Sequence, residues 1–264
     1  LNNLLKQINE NCAVTILTET TANITDLKFI SSIDRTLAGI DENDLKNYAP
    51  DLLITIGGAI ISKKIKTFLR RFKAQEHWQI SIEPTEIDTF KYLTKKLAIS
   101  PLSFFSKIQL IEPDFESNFG NKWLQQSFLA KQKHETFVTQ SEWSDLKATS
   151  IIIDTIPDFS YLHMGNSSPV RYIQLFEQIS TVQYNSNRGV SGIDGCTSTM
   201  IGAASVNNNL TLLLSGDLSF VYDINALWNN HLTSNIRIIV INNSGGGIFR
   251  IIPGPSKTNQ LEDF

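Results

Sequence analysis

The chain has 264 residues, 41% of them hydrophobic and 19% charged, with a formal net charge of −3. This is the composition of one large or two medium globular domains. It argues against a nucleic-acid partner, because surfaces that bind nucleic acid carry a marked basic excess. No apolar run reaches the roughly 18 residues a membrane span needs, and no signal-peptide pattern is present.

Strand-like and helical runs alternate along the chain. After an opening helix, "AVTILTE" (13–19) reads as a strand. "DLLITIGG" (51–58) is a buried strand ending in glycines, followed by an amphipathic helix over about 60–72. The basic run "SKKIKTFLRRFK" lies on that helix and reads as its solvated face. "HWQISIE" (77–83) closes another unit, and "KIQLIEP" (107–113) adds one more. Residues 118–148 are polar and helix-prone. The pattern then resumes with a strand over 159–165, a helix over about 169–179, a strand at "TVQYNS" (181–186) and a small-residue helix over about 195–206. Two more strands follow, "LTLLLSG" and "IRIIVI". Continuous apolar strands alternating with helices predict an α/β fold built on parallel sheets. The expected division is into residues 1–115 and 116–264.

Cys12 and Cys196 stand far apart with no CxxC, so neither a zinc site nor a disulfide framework is indicated, and a reducing cytoplasm fits. His77, His134, His163 and His231 show no paired spacing and read as structural. The chemistry-bearing words are the strand ends of the second half: "GNSSPVR", "SNRGVSGIDG", "GDLS" and "NNSGGG". Ligands of parallel α/β sheets bind beyond the carboxyl ends of the strands. Asp217 and Asn243 are hard oxygen donors, and the glycines after Asn243 let a backbone carbonyl join them. Three such oxygens suit magnesium, which shares its octahedral shell with phosphates and water. No GxxxxGK[ST] lysine exists to offset phosphate charge, so a metal would take that part. Ser219 adds a donor at the start of the following helix. Taken alone, Gly-Asp-x-Ser is also a good helix start.

"GDLS…INNSGG" looks like the Gly-Asp/Asn-Asn signature of thiamine-diphosphate enzymes. "SNRGVSGIDG", "GDLSFVYDINAL" and "NNSGGGIFRIIP" closely resemble the MenD family, the 2-succinyl-5-enolpyruvyl-6-hydroxy-3-cyclohexene-1-carboxylate synthases. The resemblance is one of wording over the last hundred residues and of layout before them. It implies two doubly wound domains, 1–115 as the central Rossmann-like domain and 116–264 as the diphosphate-binding domain. It implies thiamine diphosphate with Mg2+ or Mn2+ held by Asp217, the Asn243 side chain and the Gly245 carbonyl. Gly216, Leu218 and Ser219 would lie along the diphosphate, Gly192 would accept from the aminopyrimidine, and Ile193 would prop the cofactor, although core packing also accounts for Ile193.

The implied reaction decarboxylates 2-oxoglutarate and adds the succinyl unit to isochorismate. Both substrates are dianions, which arginine forks suit. Arg188, Arg171 and Ser167 match the family's substrate residues, and Ile248, Phe249 and Ile252 match its apolar closure. Lys63 matches a lysine of the central-domain loop. Lys64 replaces an arginine there, and a surface role for both lysines stays open. The chain starts without Met and stops soon after its richest motif, so it is expected to be a fragment lacking the N-terminal pyrimidine-binding domain, with its catalytic glutamate, and the C-terminal end. The fragment alone is expected to be inactive, and the full-length protein a homodimer or homotetramer. Two other readings stay open: an acetolactate synthase or 2-oxoacid decarboxylase, and a noncatalytic α/β nucleotide-binding module.

Overall fold

A computed structural model describes residues 1–84, 87–108, 117–250 and 254–258. The chain forms two compact units, Leu1–Phe137 and Val138–Phe264. Among the described residues no helix is long and apolar enough to cross a membrane.

The first unit carries a parallel sheet of β1 (Leu52–Ile56), β2 (Glu76–Ser81) and β3 (Lys95–Ala98), in that order. Helix α1 (Asn2–Ile8) opens the chain, and α2 (Ile33–Ala38) precedes the sheet. Helix α3 (Lys63–Arg71) connects β1 to β2 and buries Ile65, Phe68 and Leu69, the i, i+3, i+4 stripe of an amphipathic helix. That stripe packs with Ile30, Ile33 and Leu37. The opposite face carries the basic run, where Arg70 donates to the Thr89 carbonyl and Arg71 pairs with Glu42. Ser62 caps α3 by accepting from Ile65 N–H (3.0 Å), and the Glu19 carboxylate accepts from the Ile61 and Ser62 N–H groups. Glu19 comes from the stretch expected as a strand over 13–19. That stretch makes only an isolated parallel bridge, Leu17 to Ile30. In contrast, β3 was not legible because its Lys95 and Lys96 give an exposed, charged strand with no apolar alternation.

Helix α4 (Pro101–Lys107) covers the start of the segment expected as a strand at 107–113, and residues 109–113 of that segment lie outside the described residues. Helix α5 (Phe119–Gln140) then brings Trp123 into the core of the first unit. The Trp123 ring is 1% exposed, sits edge-on to Tyr48 and Phe68, and donates its indole N–H to the Tyr48 carbonyl. An indole so placed ties the beginning of α5 to residues before it, so the first unit runs past residue 115 to Phe137.

The second unit opens with α6 (Asp145–Thr155) and holds a four-stranded parallel sheet. Its strands are β4 (Tyr161–Met164), β5 (Gln183–Asn185), β6 (Thr211–Gly216) and β7 (Ile236–Ile241), in the order β5-β4-β6-β7. Strand β6 is central, with Leu212, Leu213 and Leu214 at 6%, 0% and 0% exposure. Burial on both faces explains its unbroken apolar run. Helix α8 (Cys196–Ala204) packs Cys196, Met200, Ile201 and Ala204 against Leu213. Helix α7 (Ser168–Ile173) is shorter than the span expected over 169–179. Backbone turns continue beyond it, Leu175 N–H to the Tyr172 carbonyl and Phe176 N–H to the Ile173 carbonyl, and Ile179 N–H donates to the Tyr184 hydroxyl.

The topology positions the site. From β4 the chain moves to β5 on one side, then returns across β4 to β6 and on to β7. The order reverses between β4 and β6, the place where open parallel sheets form a ligand crevice. The register sets Gly216 beside Ile241, so Asp217 and Asn242–Asn243 emerge from adjacent strand tips.

His163 on β4 is 6% exposed, and burial pushes its pKa below the ordinary value of 6.5. As pH falls below that value the unfolded chain takes up a proton that the folded chain resists, so the folded state loses stability. Urea denaturation is expected to give lower stability at about pH 5 than at about pH 7. His163→Phe should flatten that slope; an unchanged slope would assign the acid lability elsewhere.

Candidate functional site at the tips of the parallel strands

Four strand-end segments of the second unit converge on one cavity. It is lined by Asp145 and Thr149 of α6, residues 166–169 and Tyr172 after β4, Ile193, residues 216–219 after β6, and Ile241, Asn243 and residues 245–249 after β7.

The β4 tip is built by close approach. Gly165 lies against the β6 backbone, where an added Cβ would meet the Leu214 carbonyl oxygen at 3.1 Å. Asn166 follows and is 1% exposed. Ser167 then adopts φ 73°, ψ −122°, a region that non-glycine residues rarely enter, before Pro169 starts α7. Ser191 and Ser244 are also at positive φ, 62° and 65°. Such backbone costs about 1–3 kcal/mol per residue and concentrates where function fixes the chain. All three serines sit in or beside the segments that meet at the cavity.

The β6 and β7 tips are joined directly. Asp217 begins α9 (Asp217–Tyr222), and one of its carboxylate oxygens accepts from Gly245 N–H at 2.9 Å while the other accepts from Leu218 N–H at 2.8 Å. Gly245 has φ 138°, a conformation that glycine alone adopts at low cost, and its carbonyl accepts from Gly247 N–H at 2.9 Å. Asn243 donates its amide N–H to the Asp145 carboxylate at 2.9 Å. Because a carboxylate accepts and cannot donate, this contact sets which end of the amide is nitrogen and leaves the oxygen end for a cation.

The charge of the lining is decisive. Among the described residues it contains two carboxylates, Asp145 and Asp217, and no lysine, arginine or histidine. The Tyr172 phenol is pushed up by burial and by the charge of Asp145, so it stays a neutral donor at neutral pH. A polyanion in this lining would meet two carboxylates and no basic side chain among the described residues, so a bridging cation would ease its entry. The donors present (a carboxylate, an amide oxygen and a nearby peptide carbonyl) are hard oxygens of the kind magnesium and manganese take. Among the described residues no cluster of three His, Cys, Asp or Glu competes as a metal centre.

Of the residues expected at the site, Ile193, Gly216, Asp217, Leu218, Ser219, Asn243, Gly245, Ile248, Phe249 and Ser167 line this cavity. Ser219 is 3% exposed and gives its hydroxyl proton to the Ile193 carbonyl at 2.6 Å, fixing the "SGIDG" loop. The Gly192 carbonyl lies just outside the lining and accepts from Asn166 at 2.6 Å. Arg188 reaches Asn166 as well, its guanidinium donating to the amide oxygen at 2.5 Å. Arg171 is half-buried on α7 and is not part of the lining. Lys63 and Lys64 belong to the first unit, exposed at the start of α3. Ile252 lies outside the described residues.

Among the lining residues not singled out from the sequence, Asp145 and Asn166 carry hydrogen bonds that shape the site. Asp145 sits in a polar segment that reads as a connector. Asn166 sits in a word whose Asn and Ser are explained by turn chemistry alone.

No family model matches the chain. Curated proteins do. The 2-succinyl-5-enolpyruvyl-6-hydroxy-3-cyclohexene-1-carboxylate synthase of Flavobacterium psychrophilum is 45% identical over 252 residues, covering 96% of this chain and 46% of the relative. The synthase of Flavobacterium johnsoniae is 40% identical over 251 residues, 95% of this chain and 45% of the relative. That of Christiangramia forsetii is 42% identical over 257 residues, 96% of this chain and 44% of the relative. The chain therefore spans just under half the length of these relatives, with the matches running through both compact units. On that similarity, which extends well beyond the motifs at the strand tips, the chain belongs to the 2-succinyl-5-enolpyruvyl-6-hydroxy-3-cyclohexene-1-carboxylate synthase (MenD) family.

Proposed function

We propose that a full-length polypeptide containing this chain is a thiamine-diphosphate-dependent synthase of menaquinone biosynthesis. It decarboxylates 2-oxoglutarate and adds the succinyl unit to isochorismate with release of CO2. The observation that carries this reading is the cavity at the reversal point of the sheet, where two carboxylates and Asn243 meet with no basic residue among those described. Such a lining accepts a diphosphate only through a divalent ion, Mg2+ or Mn2+. Asp217, the Asn243 amide oxygen and the Gly245 carbonyl would hold that ion, and Asp145 would keep the Asn243 amide turned the right way. Gly216, Leu218 and Ser219 would border the diphosphate, and Gly192 and Ile193 the rest of the cofactor.

The cofactor, when bound, supplies an electron sink for the pair left behind as CO2 departs. The chain's own residues bind and orient. Arg188 and Arg171 would take substrate carboxylates through bidentate hydrogen bonds, with Ser167 beside them. Ile248 and Phe249, which line the cavity, would exclude water from the reacting centre, and Ile252 would extend that cover. Lys63 and Lys64 are proposed to add positive charge for the dianionic substrates. We further propose a cytoplasmic homodimer or homotetramer, in keeping with two free cysteines. This chain alone, just under half the length of its relatives, should show no turnover.

Two measurements on the full-length protein test this. In calorimetric titration with thiamine diphosphate and Mg2+, Asp217→Ala should weaken binding by about 100-fold or more. Asp145→Ala should weaken it by about 10–100-fold, the usual effect of losing an outer-sphere partner. Wild-type affinity in both variants would remove the metal site. In an assay of isochorismate consumption, Arg188→Ala should raise the apparent KM for 2-oxoglutarate by at least about 10-fold, the scale of a lost charge-assisted hydrogen bond. An unchanged KM would favour an acetolactate synthase or decarboxylase type. Absence of any metal-dependent thiamine diphosphate binding by the wild type would favour a noncatalytic module.

A further inference from the structure

Asn166 is 1% exposed and uses its whole amide to fasten one loop. Its nitrogen donates to the Asn187 carbonyl at 2.7 Å and to the Gly192 carbonyl at 2.6 Å. Its oxygen accepts from the Arg188 guanidinium at 2.5 Å. These partners lie 21, 26 and 22 residues further along the chain. Both donors and the acceptor are therefore spent on the segment between β5 and α8, and none on the turn that contains Asn166. Asn166 itself is held firmly. It follows Gly165, whose N–H donates to the Leu214 carbonyl of β6 at 2.8 Å, and it precedes the strained Ser167.

The loop it fastens is glycine-rich, and Gly189 and Val190 are exposed, Val190 at 99%. Little apolar burial holds such a segment. Its conformation rests on hydrogen bonds at its ends, including Asn187 to the Gly195 carbonyl (2.9 Å) and Ser219 to the Ile193 carbonyl (2.6 Å). Of these three side chains, Asn166 is the one that also touches the arginine.

We propose that Asn166 is a positioning residue: one buried amide helps aim the Arg188 guanidinium and fixes the Asn187–Gly192 backbone in a single arrangement, so that the substrate-binding cation and the loop bordering the cofactor are set together. This rests on the reading of Arg188 as a substrate-binding residue given above. Asparagine suits the place because its short amide combines two donors for the two carbonyls with an acceptor for the cation. Aspartate would set lone pairs against the carbonyls, and alanine would leave both carbonyls and the guanidinium without that partner.

Two assays on the full-length protein decide the matter. Trypsin cleaves after arginine, so opening of the loop is read directly as cutting at Arg188–Gly189. Asn166→Ala should raise the rate of that cut by at least about 10-fold, with cuts elsewhere unchanged, as expected when local opening becomes easier by one or more hydrogen bonds. Equal rates in wild type and variant would overturn the proposal. In steady-state kinetics, Asn166→Ala should raise the apparent KM for 2-oxoglutarate by about 10-fold with a smaller change in kcat, and the double variant with Arg188→Ala should match Arg188→Ala alone. A wild-type KM beside a defective Arg188→Ala, or fully multiplicative effects, would also overturn it. If Asn166→Ala does not fold, the nearly isosteric Asn166→Asp loses both carbonyl contacts and is expected to give faster cutting at Arg188 with a raised KM; wild-type behaviour would overturn the proposal equally. A wild-type protein with no synthase activity would count against the proposed reaction and not against the positioning role, because tryptic cutting at Arg188 does not depend on turnover.

Discussion

The site depends on one hydrogen bond between two strand tips. The Asp217 carboxylate, at the end of β6, accepts from the Gly245 N–H in the loop after β7. The parallel register makes this contact available by placing Gly216 beside Ile241. A glycine loop has no preferred conformation of its own, and this contact gives it one. Asp217 thereby organises the loop through one oxygen and also faces the cavity, where it is proposed to serve as a hard ligand. The same economy recurs at Asn243, whose nitrogen is held by Asp145 so that its oxygen has a fixed direction.

Charge follows from this arrangement. Two carboxylates at one cavity repel each other and any anion, and no basic residue of the described lining offsets them. The proposed divalent ion would offset both. The positive charge proposed to recognise substrate comes from outside the lining, through Arg188, whose guanidinium is held by a buried asparagine. The strained serines mark the same places. Ser167, Ser191 and Ser244 each hold a costly backbone conformation beside a segment that meets the cavity, so folding stability is traded there for placement.

Much of this was legible in the sequence because the relevant signals are local. The apolar runs of β6 and β7, with Asp217 and Asn243 at their ends, announce parallel strands, β6 buried, and oxygen donors at their tips, and the order of elements in the second half follows. What escaped is long-range. Asn166 looks like a turn residue because its partners are more than twenty positions away. Asp145 looks like part of a polar connector because its partner Asn243 lies 98 residues on. Trp123 draws the start of α5 into the first unit through contacts with Tyr48 and Phe68 that no periodicity reveals. The charged edge strand β3 hides its pairing with β2, while the apolar stretch at 13–19 suggests a strand and makes only a bridge.

The tips of β6 and β7 are proposed to form one divalent-cation site. Anomalous diffraction from crystals of the full-length protein grown with Mn2+ and thiamine diphosphate tests it most directly. A manganese peak is expected about 2.0–2.3 Å from both the Asp217 carboxylate and the Asn243 amide oxygen, the range of metal–oxygen bonds for small hard cations. A peak elsewhere, or Asn243 turned with its nitrogen toward the ion, would contradict it.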